Sequence, residues 1–134
     1  MIDKVFIDTS FLKAVVDEKD DFYTDALRIW NRFREGNFQL LTSNFILDET
    51  LTLVRIRRGL HIIELFRKIL AGKPAIEIER VALEDEENAW KWFMLPWKDL
   101  SFTDCISFAL MKRLGLNRVA TFDKHFRQAG FILF

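Results

Sequence analysis

Lys4-Val5-Phe6-Ile7-Asp8-Thr9-Ser10 decides how the chain is read. Val5, Phe6 and Ile7 are β-forming and apolar, and the run ends on an acid, the pattern of a short buried strand with a polar end. Thr9-Ser10 breaks it and supplies caps for a helix from about Phe11. Further along, Asp20-Asp21 precedes a helical stretch in which Phe22, Ala26, Ile29, Trp30 and Phe33 share one face, ended by Gly36. Phe38 to Leu41 repeats the strand pattern, and Ser43 or Asn44 caps a helix with Ile46, Leu47, Thr50, Leu51 and Val54 inward. Gly59 separates it from a helix over His61 to Leu70, closed by Gly72-Lys73-Pro74. Ala75-Ile76-Glu77-Ile78-Glu79 alternates apolar and charged residues, as an edge strand does. A helix over Leu83 to Met94 follows, then one opened by the capping-box pattern Ser101-Phe102-Thr103-Asp104 and ended by Gly115. Strands over Arg118 to Phe122 and Gly130 to Phe134 complete the chain. Strands joined by helical stretches predict an α/β fold, a mostly parallel five-stranded sheet with helices on both faces.

Composition bounds the function. With 134 residues the chain is sized for one domain, spanning 1–134, and its 50% hydrophobic content with 14 Phe and 4 Trp fills a core. That content excludes disorder. No apolar run approaches the roughly 18 residues of a membrane span. The first residues carry no signal-peptide pattern, and the single Cys105 cannot close an internal disulfide, so a cytoplasmic protein is expected. Twenty basic and twenty acidic side chains leave no net charge, so any nucleic-acid binding rests on a local patch or on metal ions.

Ligands of parallel sheets gather beyond the carboxyl ends of the strands. Asp8 ends the first strand and Asp123 the Arg118–Phe122 strand. Asp104 lies in the first turn of the helix feeding that strand, and Glu49 about two turns into the helix after the second. Each alone has an ordinary explanation: Asp8 and Asp123 as caps, Asp104 as the capping-box acid, Glu49 as a surface acid. Together they put four acids on one rim with no Lys or Arg among them. Packed carboxylates repel unless something positive joins them. Hard oxygen ligands suit Mg²⁺ or Mn²⁺, which activate water and clamp a phosphodiester.

The blocks Val5-Phe6-Ile7-Asp8-Thr9-Ser10, Leu41-Thr42-Ser43-Asn44-Phe45-Ile46-Leu47-Asp48-Glu49-Thr50, Leu100-Ser101-Phe102-Thr103-Asp104-Cys105 and Val119-Ala120-Thr121-Phe122-Asp123-Lys124-His125-Phe126 resemble, in order and spacing, the signature blocks of PIN-domain nucleases. The resemblance implies a three-layer α/β/α sandwich and metal-dependent endoribonuclease activity. Many small members are VapC-type toxins of toxin–antitoxin pairs. It implies that Asp8 and Asp104 are the principal ligands of one or two Mg²⁺ or Mn²⁺ ions. Asp123 would ligate directly or through water, and Glu49 would help place metal-bound water. Ser10 and Thr121 match hydroxyl positions that support the carboxylates, and Asp99 lies near the rim as a further, solvent-facing acid. The partners implied are an RNA substrate, a cognate antitoxin and a second copy in a homodimer, with no membrane.

Other features read more plainly. Arg55, Arg57 and Arg58, with His61, Arg67 and Lys68, form the one dense basic stretch, either an RNA or antitoxin contact or a solvated helix face. Trp90, Trp92, Phe93 and Trp97 read as core or dimer face, the acids from Glu84 to Glu87 as a solvated helix start, and His61 and His125 as structural or surface residues. Three rivals remain. A haloacid-dehalogenase-like phosphatase requires a second Asp where Ser10 stands. A phosphoacceptor receiver domain leaves the Glu49 helix without a role. A non-catalytic PIN-like module would dock RNA or protein without binding metal at the rim.

Overall fold

The computed structural model describes residues 2–134. Strand β1 (Asp3–Ile7) carries Val5, Phe6 and Ile7 fully buried, as an inner strand covered on both faces requires. Helix α1 (Thr9–Val16) starts two residues earlier than the sequence suggests, because Asp8 itself is the N-cap and accepts the Ser10 N–H. Helix α2 (Tyr23–Glu35) buries Ala26, Ile29, Trp30 and Phe33, with the chain turned into it by Asp20, whose carboxylate accepts the Phe22 N–H at 2.9 Å. Strand β2 (Phe38–Ser43) leads into α3 (Asn44–Arg58), capped by the Ser43 hydroxyl, which accepts the Ile46 N–H at 3.1 Å.

Gly59, at φ 84°, turns the chain from α3 into α4 (Leu60–Ala71), a backbone state that L-residues rarely adopt. Strand β3 (Ile76–Glu79) is followed by α5 (Leu83–Phe93) and α6 (Phe102–Leu114), the latter ended by Gly115 in the left-handed region. Strand β4 (Arg118–Ala120), the short helix α7 (His125–Gln128) and β5 (Ile132–Leu133) complete the chain. Both last strands are shorter than their apolar runs. The chain leaves the ladder at Thr121, where side-chain bonds replace it: the Phe122 N–H donates to Ser10 Oγ at 2.9 Å.

The five strands form one sheet in the order β3-β2-β1-β4-β5, and every pairing is parallel. The chain winds outward from β1 through β2 to β3, then crosses back to lay β4 beside β1. Right-handed crossovers then place α1–α4 on one face and α5–α7 on the other. The helix packing agrees: α1 packs against α2, α3 and α4, while α5 packs on α6 and α6 on α7. This is the three-layer α/β/α sandwich. Its core holds six fully buried phenylalanines, Phe6, Phe11, Phe33, Phe66, Phe108 and Phe126, spread over both faces. Strand order reverses between β1 and β4, the place where sheets of this kind bind ligands, and Asp8 and Thr121 lie at the carboxyl ends there. Among the described residues no helix is long and apolar enough to cross a membrane.

Candidate metal centre at the strand-order switch

Asp8 leaves β1 buried and held by one of its two oxygens. Thr121 Oγ1 donates to Asp8 Oδ2 at 2.8 Å, and Ser10 Oγ donates to the same atom at 2.9 Å. Each hydroxyl in turn accepts a backbone N–H, Ser10 from Phe122 at 2.9 Å and Thr121 from Asp123 at 3.0 Å. Their single protons are therefore committed to Asp8. The α1 N-terminus adds the Ser10 N–H at 3.4 Å, again to Oδ2. Asp8 Oδ1 carries none of these bonds.

Asp104 occupies the third position of α6. Ser101 Oγ accepts the Asp104 N–H at 3.0 Å, so that half of the capping box forms and fixes the turn. The Asp104 carboxylate faces the other acids instead of the cap. Asp123 follows β4, and its Oδ1 accepts the His125 N–H at 2.9 Å, which starts α7. One ligand atom each from Asp104, Asp123 and His125 lies within 4.8 Å of the others. The cap explanation for Asp123 and the cluster are thus both true of the same side chain.

The electrostatics follow from this packing. Burial, offset in part by the Thr121 and Ser10 hydrogen bonds, raises the Asp8 carboxyl to about 6. Burial and the charges of Asp8 and Asp123 raise Asp104 to about 8. Hydroxyl donors and helix N-termini offset only part of the negative charge. Such a cluster has the composition of a divalent-cation site: hard oxygen donors, charge in excess and, among the described residues, no Lys or Arg paired to it.

Of the two readings offered for His125, structural or surface, the structure removes the surface one. His125 is buried within the cluster, with Nε2 at 2.8 Å from the Lys98 carbonyl and Nδ1 at 2.8 Å from Asp123 Oδ1 and 4.0 Å from Asp104 Oδ2. The only sequence signal was its place two residues after Asp123. Glu49 lies outside the tight cluster. It is half-buried on α3 and lines an open groove of about 650 Å³ with Asn44, Asp48, Thr52 and Thr103, the last adjoining Asp104. Asp99 is exposed, at φ 60° in the loop before α6.

The arginines stand apart from the rim. Arg58 pairs with Asp17 at 3.5 Å, and Asp17 ends the eight-residue α1 that begins at Asp8. That places the Asp17 backbone about 13.5 Å from that of Asp8 by the rise of a helix. Arg55 and Arg57 are exposed on the same last turn of α3. Asp85, read as part of a solvated acidic run, is instead buried: Arg113 donates to it through Nε at 2.8 Å and Nη2 at 2.9 Å, and the Ala82 N–H donates at 2.8 Å.

The PIN-domain profile matches residues 5–132. The chain belongs to the PIN-domain family. It is 33% identical over 129 residues to the 23S rRNA-specific endonuclease VapC20 of Mycobacterium tuberculosis, covering 96% of this chain and 95% of that relative. The crystal structure of that VapC20, described as a Sarcin-Ricin loop cleaving toxin, superposes with a TM-score of 0.83 at 32% identity over 96% of each chain. VapBC2 of Rickettsia felis, bound to a promoter DNA fragment, matches with a TM-score of 0.67 at 13% identity over 98% of this chain and 97% of that one. FitAcB of Neisseria gonorrhoeae matches with a TM-score of 0.65 at 14% identity over 97% and 96%. The last two share the PIN fold.

Proposed function

We propose that this chain is a divalent-cation-dependent endoribonuclease, the toxin of a toxin–antitoxin pair, cutting 23S ribosomal RNA within the loop that VapC20 cleaves. The observation that carries the metal reading is the tight cluster of Asp104, Asp123 and His125, with Asp8 near enough that burial and the charges of Asp8 and Asp123 raise Asp104 to about 8. The likeness to VapC20 along nearly the whole chain supports the substrate class.

Asp8, Asp104 and Asp123 would hold one or two Mg²⁺ or Mn²⁺ ions. When bound, the cation supplies charge against the phosphodiester and water of lowered pKa. Ser10 and Thr121 fix Asp8 by one oxygen and would leave the other to ligate. Glu49, in the groove beside Thr103, orients water next to the scissile phosphate and can accept its proton at the carboxylate. Asp99 stays in solvent, in the loop before α6. Arg55 and Arg57 contact RNA phosphates away from the cut, while Arg58 holds Asp17. The protein works in the cytoplasm, where its antitoxin neutralises it. It pairs with a second copy through the apolar residues α5 leaves exposed, Leu83 (72%), Trp90 (55%) and, just beyond, Met94 (75%).

The test is cleavage of total RNA and of intact ribosomes by purified protein with Mn²⁺, with Mg²⁺ and with chelator, beside Asp8→Asn. Discrete 23S fragments that require metal and Asp8 are expected. Metal-independent cutting, or a fully active Asp8→Asn protein, would overturn the reading. Absence of both RNA cleavage and rim metal binding would instead favour a docking module.

A further inference from the structure

His125 is held by one nitrogen and aims the other into the acidic cluster. A backbone carbonyl only accepts, so the 2.8 Å contact with the Lys98 oxygen requires the proton on Nε2. In the neutral ring Nδ1 then presents a lone pair. That atom is buried, with the side chain 7% exposed, and it makes no hydrogen bond among the described residues, although Asp123 Oδ1 lies 2.8 Å away. Asp123 Oδ1 already accepts the His125 backbone N–H at 2.9 Å. A lone pair packed against two carboxylates is satisfied either by a proton shared with Asp123 Oδ1 or by a cation that all three groups ligate, and the spacing to Asp104 decides between them.

The spacing suits a cation. For ligand distances of about 2.1 Å, neighbouring donors of an octahedral ion are about 3 Å apart and opposite donors about 4.2 Å. Nδ1 stands 2.8 Å from Asp123 Oδ1 and 4.0 Å from Asp104 Oδ2. Fixing one ring nitrogen on a backbone carbonyl so that the other can ligate is the usual way metal-binding histidines are oriented.

We propose that Nδ1 of His125 is a nitrogen ligand of the rim cation, beside Asp104 and Asp123, and that it makes the site select Mn²⁺ over Mg²⁺. This deepens, and rests on, the metal reading above. Mg²⁺ demands oxygen donors, whereas imidazole favours transition-metal ions. The three carboxylates alone would accept either ion. His125 adds the discrimination.

Pulsed electron paramagnetic resonance of Mn²⁺ bound to the full chain tests this, together with Mn²⁺ and Mg²⁺ titrations of wild type and His125→Gln. Glutamine keeps a side-chain N–H for the Lys98 carbonyl but lacks the imidazole. Expected are a directly coordinated nitrogen signal in the wild type, its loss in His125→Gln, and an Mn²⁺ affinity that falls about tenfold or more while Mg²⁺ affinity changes far less. Bound Mn²⁺ with no nitrogen coupling in the wild type overturns the proposal and leaves the carboxylate site standing. That spectrum decides even if the variant fails to fold. No Mn²⁺ binding that Asp104→Asn abolishes would overturn the metal reading and this inference with it.

Discussion

Asp85 and Asp104 hold the same position in two helices that pack against each other: each is the third residue, α5 and α6 respectively. Both are buried. Asp85 caps its helix through the Ala82 N–H and takes two hydrogen bonds from Arg113. Burial alone would raise its pKa, but those bonds outweigh burial and hold it below the usual range. Asp104 leaves its own cap to Ser101 and faces Asp8 and Asp123, which, with burial, raise it to about 8. An acid completed by the fold's own cation belongs to stability. An acid that the fold surrounds with more acids is completed only by something the chain binds.

The largest effect expected from that contrast is on catalysis. Asp104→Asn should lower RNA cleavage about 10³-fold or more in single-turnover assays, since loss of a metal clamp removes several kcal/mol of transition-state stabilisation. Its melting temperature in chelator should not fall. Next comes the support of Asp8. Thr121→Val removes the 2.8 Å donor to Oδ2 and should weaken metal affinity or activity about 10- to 100-fold, read by calorimetric Mn²⁺ titration. Asp85→Ala should do the reverse of Asp104→Asn. It strands a partly exposed Arg113 and should cost about 2 kcal/mol in denaturant unfolding, less than for a fully buried pair. Cleavage below the melting temperature should persist. An Asp85→Ala protein of wild-type stability would break the comparison.

The two acids also predict opposite pH slopes. Groups raised in the folded state bind extra protons there, so their contribution is present below the ordinary carboxylate pKa. It is lost as pH rises through about 6 for Asp8 and about 8 for Asp104. The metal-free protein should therefore lose melting temperature from pH 5 to 9, and Asp104→Asn should flatten the upper part of that decline. Asp85, lowered, contributes above its usual pKa and loses that contribution as the solution is acidified. Asp85→Asn should flatten only the acid limb. Scanning calorimetry in chelator reads both.

Much of this was legible because it is local. A β-forming run ending on Asp8, the Ser101 cap and the Gly59 and Gly115 breaks follow from short-range chemistry, and the resulting strand order puts Asp8, Asp104 and Asp123 at one switch point. What the sequence hid depends on partners far along the chain. Asp85 looks like one acid in a solvated run until Arg113, 28 residues on, reaches it. His125 reads equally as structural or surface until the Lys98 carbonyl, 27 residues earlier, takes the ring. The start of α1 was displaced for a related reason: Asp8 serves as cap and site acid with one carboxylate, so no separate cap residue is needed.

The smallest expected effect separates the rim from the arginines. Arg58 is bound to Asp17, so its removal should cost stability of about 0.5 kcal/mol and leave RNA affinity unchanged. Arg55 and Arg57 project from the same turn with no carboxylate bound to them among the described residues. Removing one cation that neutralises an RNA phosphate lowers the salt slope of binding by about 0.7 to 0.9. Arg55→Ala with Arg57→Ala should therefore flatten the slope by about one to two and weaken binding of inactive Asp104→Asn protein to RNA several-fold. In an otherwise wild-type protein, cleavage of saturated RNA should stay unchanged, because the last turn of α3 lies a helix length from Asp8. An unchanged slope would confine RNA recognition to the rim and to the groove lined by Glu49.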